Sequence, residues 1–332
     1  MKIAVDAMGG DNAPDVVIKG AIEAAKEIDA EIILVGEKNI LESKLSSYNN
    51  IPSNISLAQA AEVIEMKEPP AISVRRKKDS SINVAVNMVK DKKADAVVSA
   101  GNTGAVVCAA SLFLKILPGI DRPGISVLLP TLKDVVQVID MGANIDAKPE
   151  HLLQYGIMGS IYSNFVLNKD NPTVGLLNIG EEETKGPEFV KETFKLLEQN
   201  KNINFIGNVE GRDIYMGNCD VIVCDGFLGN VVLKVSEGLA DAIKEMLKRN
   251  LSSNFMVRLG AFLSAPAFKT LKKEIDYSEY GGAPLLGVDG VCIIAHGGSS
   301  ANAIKNAIRV AQESLLQKVN QHIVEIISGN KD

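Results

Sequence analysis

Residues 94–105 read ADAVVSAGNTGA, and this order of residue types predicts an α/β fold. The β-branched run that ends at Ser99 is typical of a buried strand, and the glycine-rich turn from Gly101 to Gly104 precedes a helical pattern. The same succession of strand, turn and helix recurs along the chain. Strands that alternate with helices imply a parallel or mixed sheet covered by helices on both faces.

Eight further stretches have the clearest strand character. They are KIAVDA (2–7), EIILVG (31–36), GISVLLP (124–130), DVVQVIDM (134–141), TVGLLN (173–178), NINFIG (202–207), CDVIVCDG (219–226) and GVCIIAHGG (290–298). Neither a Pro/Ser-rich linker nor an internal repeat divides the sequence. We therefore expect one continuous α/β domain over residues 1–332, with two intertwined lobes as the alternative.

Composition limits the classes of function. The chain has 332 residues, of which 46% are apolar and 23% charged, as in soluble globular proteins. Its net charge of −6 argues against a nucleic-acid partner. The four cysteines lack the spacing of metal ligands, so we expect neither a metal nor a cofactor. No run approaches the roughly 20 apolar residues of a membrane span, which predicts a cytoplasmic protein.

The turns that follow the strands are the predicted place of function, because ligands of open α/β sheets bind there. In the first turn Asp11 or Asn12 can cap the next helix, and Pro14 suits its first turn. The turn at 100–105 lacks a Walker lysine and does not fit GxGxxG, so phosphate or an acyl oxygen is expected rather than a nucleotide. The candidate substrate- and phosphate-binding residues are Asp6, Gly9, Gly10, Asn12, Ser99, Gly101, Asn102, Thr103, Gly104, Asp140, Gly142, Asn144, Gly180, Gly226 and Gly229.

Four residues in these turns are catalytic candidates. Lys185 supplies a cation, and Asn230 supplies an amide at the start of a long helical pattern. Asp225, a carboxylate just before that pattern, is the third candidate. His296, at a strand end among glycines, is the best placed of three histidines for proton transfer. A solvated lysine paired with a neighbouring glutamate remains the alternative for Lys185, and a structural hydrogen bond remains the alternative for His296.

Two basic stretches predict contacts with anions. The first is Arg75, Arg76, Lys77 and Lys78, followed by Ser80 and Ser81, which are placed to cap a helix and contact phosphate. The second is a helical, amphipathic protrusion at about residues 250–275, where Pro266 kinks one helix or separates two. Its predicted contact residues are Arg258, Phe262, Leu263, Lys269, Lys272 and Lys273.

Seven motifs occur in order along the chain. They are VDAMGGDNAP (5–14), RRKKDSS (75–81), SAGNTGA (99–105), DMGANIDAKPEHL (140–152), LLNIGEEETKG (176–186), VCDGFLGN (223–230) and YGGAPLLGVDG (280–290). Together they resemble the bacterial PlsX-type phosphate acyltransferases over essentially the whole chain. Pro187 and Gly298 are less typical of that family. The resemblance implies a homodimer with a three-layer α/β/α fold around a mixed sheet, similar to isocitrate and isopropylmalate dehydrogenases and to phosphotransacetylase.

The resemblance also implies a reaction. A long-chain fatty acyl group would pass from the thioester of acyl carrier protein to inorganic phosphate, and the acyl phosphate would pass to a membrane acyltransferase acting on glycerol 3-phosphate. For this reaction we expect Lys185 to bind phosphate, Asn230 with nearby N–H groups to hold the thioester oxyanion, and His296 or Asp225 to accept a proton or orient a substrate.

The partners of the protrusion and two rival functions stay open. The protrusion fits an acidic carrier protein, an anionic lipid surface that would make the protein peripheral at the membrane, or the mate in a homodimer. One rival function is a non-catalytic scaffold that binds carrier protein or membrane. The other is an NAD-dependent decarboxylating dehydrogenase of similar fold.

Overall fold

The computed structural model describes residues 1–275 and 281–329, with side chains described at 1–270 and 281–329. The strands of the described chain are β1 (Lys2–Asp6), β2 (Glu31–Gly36), β3 (Ile55–Gln59), β4 (Ala96–Ser99), β5 (Gly124–Pro130), β6 (Val135–Ile139), β7 (Thr173–Asn178), β8 (Asn204–Glu210), β9 (Val221–Val223), β10 (Ala283–Leu286) and β11 (Val291–Ile294). The helices are α1 (Asp15–Glu27), α2 (Lys38–Leu45), α3 (Pro70–Arg76), α4 (Ser81–Lys90), α5 (Thr103–Phe113), α6 (Pro149–Phe165), α7 (Glu188–Gln199), α8 (Gly226–Leu251), α9 (Phe255–Leu263), α10 (Ala265–Ile275), α11 (Ala301–Leu316) and α12 (Val319–Gly329), with a 3-10 helix at Gly211–Tyr215.

The strands of the described residues form one 11-stranded mixed sheet in the order β3-β2-β1-β4-β11-β10-β5-β6-β9-β7-β8. Pairing is parallel from β3 to β11 and again from β6 to β8, while the three pairs between β11 and β6 are antiparallel. Because three reversals separate the two parallel groups, these groups run in opposite directions. We call the side where β1, β4 and β11 end the first rim, and the side where β6, β7 and β9 end the second rim.

Helices cover both faces of the sheet. On one face Ile3 and Val5 of β1 pack with apolar residues of α1 and α11, while on the other face Ala4 packs with α4 and α5. Beyond the central strands, α6 and α12 cover the first of these faces and the start of α8 packs on the second. The alternation of buried side chains along β1 thus produces the predicted three layers, and the α/β/α fold class is confirmed.

Two strands, β3 and β10, were not predicted from the sequence. β10 contains Pro284, which lacks a backbone N–H and argues against a strand, and β3 is a half-buried edge strand with a weak apolar pattern. One predicted detail of the first turn was wrong: neither Asp11 nor Asn12 caps α1, whose N-cap is Pro14 without a side-chain hydrogen bond. The segment around Pro266 forms two helices rather than one kinked helix. Helix α9 ends at Leu263, Ser264 separates it from α10, and Pro266 is the second residue of α10.

Candidate active site

At the first rim, a buried carboxylate ties the turns after β1 and β4 together. Asp6 accepts a hydrogen bond of 2.7 Å from the Ser99 hydroxyl, and Ser99 Oγ accepts one from the N–H of Gly101. Burial raises the pKa of Asp6, while the hydrogen bonds from Ser99 and from the N–H of Met8 oppose the rise. A Cβ at Gly9 would lie 2.4 Å from Asp6 Oδ2, so only glycine allows this close approach. Asp6, Gly9 and Ser99 therefore shape the rim from within.

At the second rim, the buried carboxylate of Asp140 holds the turn after β6. Its carboxylate accepts hydrogen bonds of 2.7–3.1 Å from the N–H groups of Ile125, Gly142, Ala143 and Asn144. Burial raises the pKa of Asp140 against the effect of these four donors. Asp140 is thus enclosed by backbone and holds the turn after β6 in shape.

Helix α8 starts directly against that turn. A Cβ at Gly229 would lie 1.9 Å from the carbonyl oxygen of Asp140, and one at Gly226 would lie 2.6 Å from that of Asn144. Asp225 caps the helix, because its Oδ1 accepts 2.9 Å hydrogen bonds from the N–H groups of Phe227 and Leu228. The described contacts therefore give Asp225, Gly226 and Gly229 structural parts at the start of α8.

A cleft of about 490 Å³ lies over the central strands, between the two rims. It is lined by Thr103, Gly104, Ile125, Val127, Leu128, Met141, Gly142, Asn230, Leu233, Lys234, Glu237, Gly281, Gly282, Ala283, Ile294, Ala295, His296, Gly298, Ser299, Ser300 and Ala303. The cleft brings together five of the predicted residues: Thr103, Gly104 and His296 from the first rim, and Gly142 and Asn230 from the second. Apolar side chains of β5 and Leu233 of α8 form part of its walls, and its polar groups lie along α8 and at the end of β11.

One face of α8 carries three polar residues into the cleft. Asn230, Lys234 and Glu237 follow the i, i+4, i+7 spacing of a single helix face. At 1.5 Å per residue, the 11 steps from Gly226 to Glu237 span about 16 Å, which carries α8 across the sheet from the second rim to the first. Lys234 and Glu237 were not among the residues predicted from the sequence, although their spacing after a predicted site turn was a usable signal.

The polar groups of the cleft differ in their partners. The Asn230 amide makes no hydrogen bond to another described residue, and its side chain lies next to Gly142. Lys234 Nζ lies 2.8 Å from Glu237 Oε2, and Glu237 Oε1 lies 3.9 Å from His296 Nε2. The N–H of Gly298 donates to His296 Nδ1 at 3.1 Å. Because Nδ1 is an acceptor, a neutral His296 carries its proton on Nε2 and faces the cleft as a donor.

Several predicted residues have their polar groups occupied elsewhere. Asn102 caps α5 through its Oδ1, and its Nδ2 donates to the carbonyl oxygens of Glu65, Met66 and Glu68, so the amide fastens a loop. Asn144 Nδ2 donates to the carbonyl oxygen of Pro123 and to the Tyr155 hydroxyl. Gly10, Asn12 and Gly101 shape the turns of the first rim outside the cleft lining.

Lys185 lies in the turn after β7 on the second rim, with Gly180. Its Nζ is 4.0 Å from Glu182, its side chain is half exposed, and it is not among the residues that line the cleft. Asn178 Nδ2 donates to the Lys185 carbonyl oxygen and stabilises the turn. The structure thus places Lys185 on the same rim as Asn230 without bringing its ammonium into the cleft.

A second depression lies along β8, and its charge is unsuited to phosphate. It has a volume of about 760 Å³ and includes Glu181, Glu183, Glu198 and Asp213 among its lining residues. Four carboxylates repel a phosphate anion, and none of the predicted site residues lies there. The cleft over the central strands is therefore the better candidate site.

The first basic stretch is partly occupied. Lys77 pairs with Glu68 and donates to the Val63 carbonyl oxygen, whereas Arg75, Arg76 and Lys78 are exposed. Ser80 caps α4 as predicted, and its side chain is fully buried. Ser81 is buried as well, so neither serine is accessible to phosphate in solution.

The protrusion begins in the second half of α8 and continues through α9 and α10. Phe262 and Leu263 are 76% and 72% exposed, and Phe255 and Met256 are exposed to a similar degree. Arg258 Nε donates to the carbonyl oxygen of Ser252. Lys269 lies on α10, whereas the side chains of Lys272 and Lys273 lie outside the described residues. The chain thus exposes a large apolar surface next to basic residues.

Sequence comparison gives a consistent set of relatives. A family model described as "Fatty acid synthesis protein" matches residues 1–322. The chain is 51% identical over 330 residues to the phosphate acyltransferase of Geotalea uraniireducens, covering 99% of this chain and 95% of that protein. It is 52% identical over 330 residues to the phosphate acyltransferase of Heliobacterium modesticaldum, covering 99% of this chain and 98% of that protein.

Comparison with solved structures gives the same fold at low identity. A phosphotransacetylase from Streptococcus pyogenes matches with a TM-score of 0.65 and 18% identity, covering 97% of this chain and 94% of that one. A 4-hydroxythreonine-4-phosphate dehydrogenase from Klebsiella pneumoniae matches with a TM-score of 0.53 and 12% identity, covering 96% and 98%. At these identities the likeness shows the fold alone.

Proposed function

The chain belongs to the phosphate acyltransferase family and is an acyltransferase, and we propose that it transfers a long-chain fatty acyl group from acyl carrier protein to inorganic phosphate. The acyl phosphate then serves the first acylation of glycerol 3-phosphate in phospholipid synthesis. The observation that carries this proposal is the cleft, which has apolar walls for an acyl group and an amide, an ammonium and an imidazole at its polar positions.

The proposed reaction needs no covalent enzyme intermediate. A hydrogenphosphate oxygen forms a bond to the thioester carbonyl carbon, the carbon–sulfur bond breaks, and the proton of hydrogenphosphate ends on the thiolate of the carrier. A thiol with an ordinary pKa near 8.5 is a good leaving group. The enzyme therefore has to bind, desolvate and orient two substrates, and a preorganised cleft does this.

Each polar residue has a proposed part. The Asn230 amide, without another described partner, donates to the oxygen of the thioester as negative charge develops on it. His296 presents Nε2–H, which suits an orienting donor better than a proton acceptor. Lys185 binds phosphate from the turn after β7. Asp225 Oδ1 already accepts the two hydrogen bonds that cap α8. Of its two expected parts, proton acceptor and orienting residue, we therefore propose only the second.

The two rival functions make different predictions. A non-catalytic scaffold would bind acyl carrier protein without phosphate-dependent release of thiol, and a decarboxylating dehydrogenase would change NAD absorbance. We would incubate the protein with long-chain acyl carrier protein, with and without phosphate, and follow free thiol and hydroxylamine-sensitive acyl groups. Thiol release that requires phosphate supports the proposal, and carrier binding without any release would contradict it.

The proposed partners of the protrusion follow from its surface. Its exposed apolar residues and neighbouring basic groups suit an anionic lipid surface, from which the acyl phosphate can pass to a membrane glycerol-3-phosphate acyltransferase. In the described part of the chain, every helix is too short or too polar to cross a bilayer. We therefore propose a cytoplasmic homodimer that touches the membrane peripherally, with acyl carrier protein and dimer packing as the competing uses of the same surface.

A further inference from the structure

The cleft offers one strong cation to an anionic substrate. Among the described residues that line it, Lys234 is the one lysine or arginine. A phosphate that leaves water for a cleft with apolar walls loses hydration, so it requires a cation and hydrogen-bond donors in exchange. Lys234 is placed to supply both.

The protein holds this part of α8 firmly. The Tyr215 hydroxyl hydrogen-bonds Ser236 Oγ, and Val232 and Leu233 pack against the core. The Lys234 side chain is 58% exposed while that of Glu237 is 20% exposed, so the ammonium is accessible from the cleft and the carboxylate sits deeper. Lys234 is therefore an accessible cation on a helix segment that packs against the core.

Glu237 has two alternative partners. Its Oε2 lies 2.8 Å from Lys234 Nζ, and its Oε1 lies 3.9 Å from His296 Nε2. Since Gly298 donates to Nδ1, the neutral imidazole has a proton on Nε2 to give. A small movement of the carboxylate exchanges the first partner for the second, so the partly buried carboxylate keeps a hydrogen-bond partner.

We propose that Lys234 binds the phosphate in the cleft, and that phosphate takes the ammonium from Glu237, whose carboxylate then accepts a hydrogen bond from His296 Nε2–H. This inference rests on the proposed function and names the residue that binds its anionic substrate and the contact that binding displaces. Lys185, on the second rim, is a separate proposed ligand. A phosphate dianion accommodates two cations, so the two assignments are tested independently.

Substitutions of the pair have opposite expected effects. Lys234→Gln removes the cation and raises the KM for phosphate at least about tenfold, while Lys234→Arg restores most of the affinity. Glu237→Gln keeps the shape but removes the competing charge, so the KM for phosphate falls severalfold even if kcat falls. Lys19→Gln, at an exposed helical lysine outside the cleft, is the matched control and leaves both constants unchanged.

The experiment combines steady-state kinetics at saturating acyl carrier protein with calorimetric titration of inorganic phosphate into the acyl-free protein. Opposite shifts for the two variants support the inference. Unchanged phosphate affinity in Lys234→Gln, or a rise in KM for Glu237→Gln equal to that of Lys234→Gln, overturns it. The two proposals can fail separately. If the wild-type protein forms no acyl phosphate but binds phosphate, and Lys234→Gln loses that binding, the proposed function is overturned and the phosphate site stands.

Discussion

His296 Nε2 lies 3.9 Å from Glu237 Oε1, although the two residues reach the cleft from opposite rims of the sheet. The contact exists because α8 begins at the second rim, beside Asp140, and crosses the face of the sheet toward the end of β11. A single helix thereby lays Asn230, Lys234 and Glu237 along the cleft. The geometry of the candidate site depends on how closely the start of α8 packs.

That packing can be tested at Gly229. A methyl group there would lie 1.9 Å from the Asp140 carbonyl oxygen, so we expect Gly229→Ala to lower the free energy of unfolding by about 3 kcal/mol or more. Gly238→Ala is the control on the same helix, since no atom lies within 4 Å of its added Cβ. Removing a helical glycine should raise stability by about 0.5–1 kcal/mol. Chemical denaturation checks both, and equal effects of the two variants would refute the packing argument.

Asn230→Ala tests the proposed thioester oxygen site. Loss of one preorganised donor to a developing oxyanion should lower kcat by about 10²–10³ while the melting temperature stays unchanged. Asn39→Ala removes an exposed amide from α2 and should keep the wild-type rate. Steady-state rates with acyl carrier protein and phosphate measure the effect. A kcat within about twofold of wild type would remove Asn230 from the mechanism.

Lys185→Ala tests the proposed phosphate contact from the turn after β7. We expect a loss of turnover by orders of magnitude without a loss of stability, because the ammonium is half exposed and its ion pair with Glu182 is long at 4.0 Å. Lys191→Ala is a matched control, since Lys191 forms a similar pair of 3.9 Å with Glu188. If both variants retain the wild-type rate, Lys185 is a surface lysine.

The stability of the loop that Asn102 holds should depend on pH, because Glu68 lies in that loop and its carboxylate is hydrogen-bonded. Hydrogen bonds from Lys77 and then Ser73 lower the pKa of Glu68 from 4.5 to about 2. Because the folded-state pKa is the lower one, the ionised carboxylate stabilises the fold above pH 4.5, and this contribution is lost as the pH falls from 4.5 through 2. A carboxyl carbon NMR titration measures the pKa directly. A value at or above 4.5 would contradict the pairing.

Phe262→Glu tests the proposed membrane contact of the protrusion. A charge at this 76% exposed position should reduce co-sedimentation with anionic liposomes severalfold without unfolding the protein. Leu132→Glu is the control, because Leu132 is 80% exposed on the β5–β6 turn. Unchanged lipid binding by Phe262→Glu would leave dimer packing or carrier binding as the use of this surface.

The sequence was informative where local pattern determines structure. Strong β-branched runs predicted most strands, and glycine-rich turns identified Thr103, Gly142 and Asn230, which do line the cleft. The local sequence pattern did not predict the relative direction of the two parallel groups of strands. This direction depends on β10, a short strand that contains a proline and pairs antiparallel with both of its neighbours. Without that reversal, all the strand-end turns would be expected on one side of the sheet.

The same limitation explains the residues that were missed or assigned other parts. Lys234 and Glu237 belong to the site only because α8 crosses the sheet, which no local pattern indicates. Asn102 looked like a phosphate ligand from its turn, yet its amide is fully used by backbone groups of a loop more than 30 residues away in sequence. Such long-range hydrogen bonds leave no signal in the local sequence.

The most direct test of the proposed reaction is the stoichiometry of its two products. The wild-type protein, long-chain acyl carrier protein and isotopically labelled inorganic phosphate would be mixed, and free carrier thiol and labelled acyl phosphate measured together over time. We predict that both products form in equal amounts and that neither forms without phosphate. Thiol release without phosphate, or release accompanied by free fatty acid instead of labelled acyl phosphate, would contradict the account.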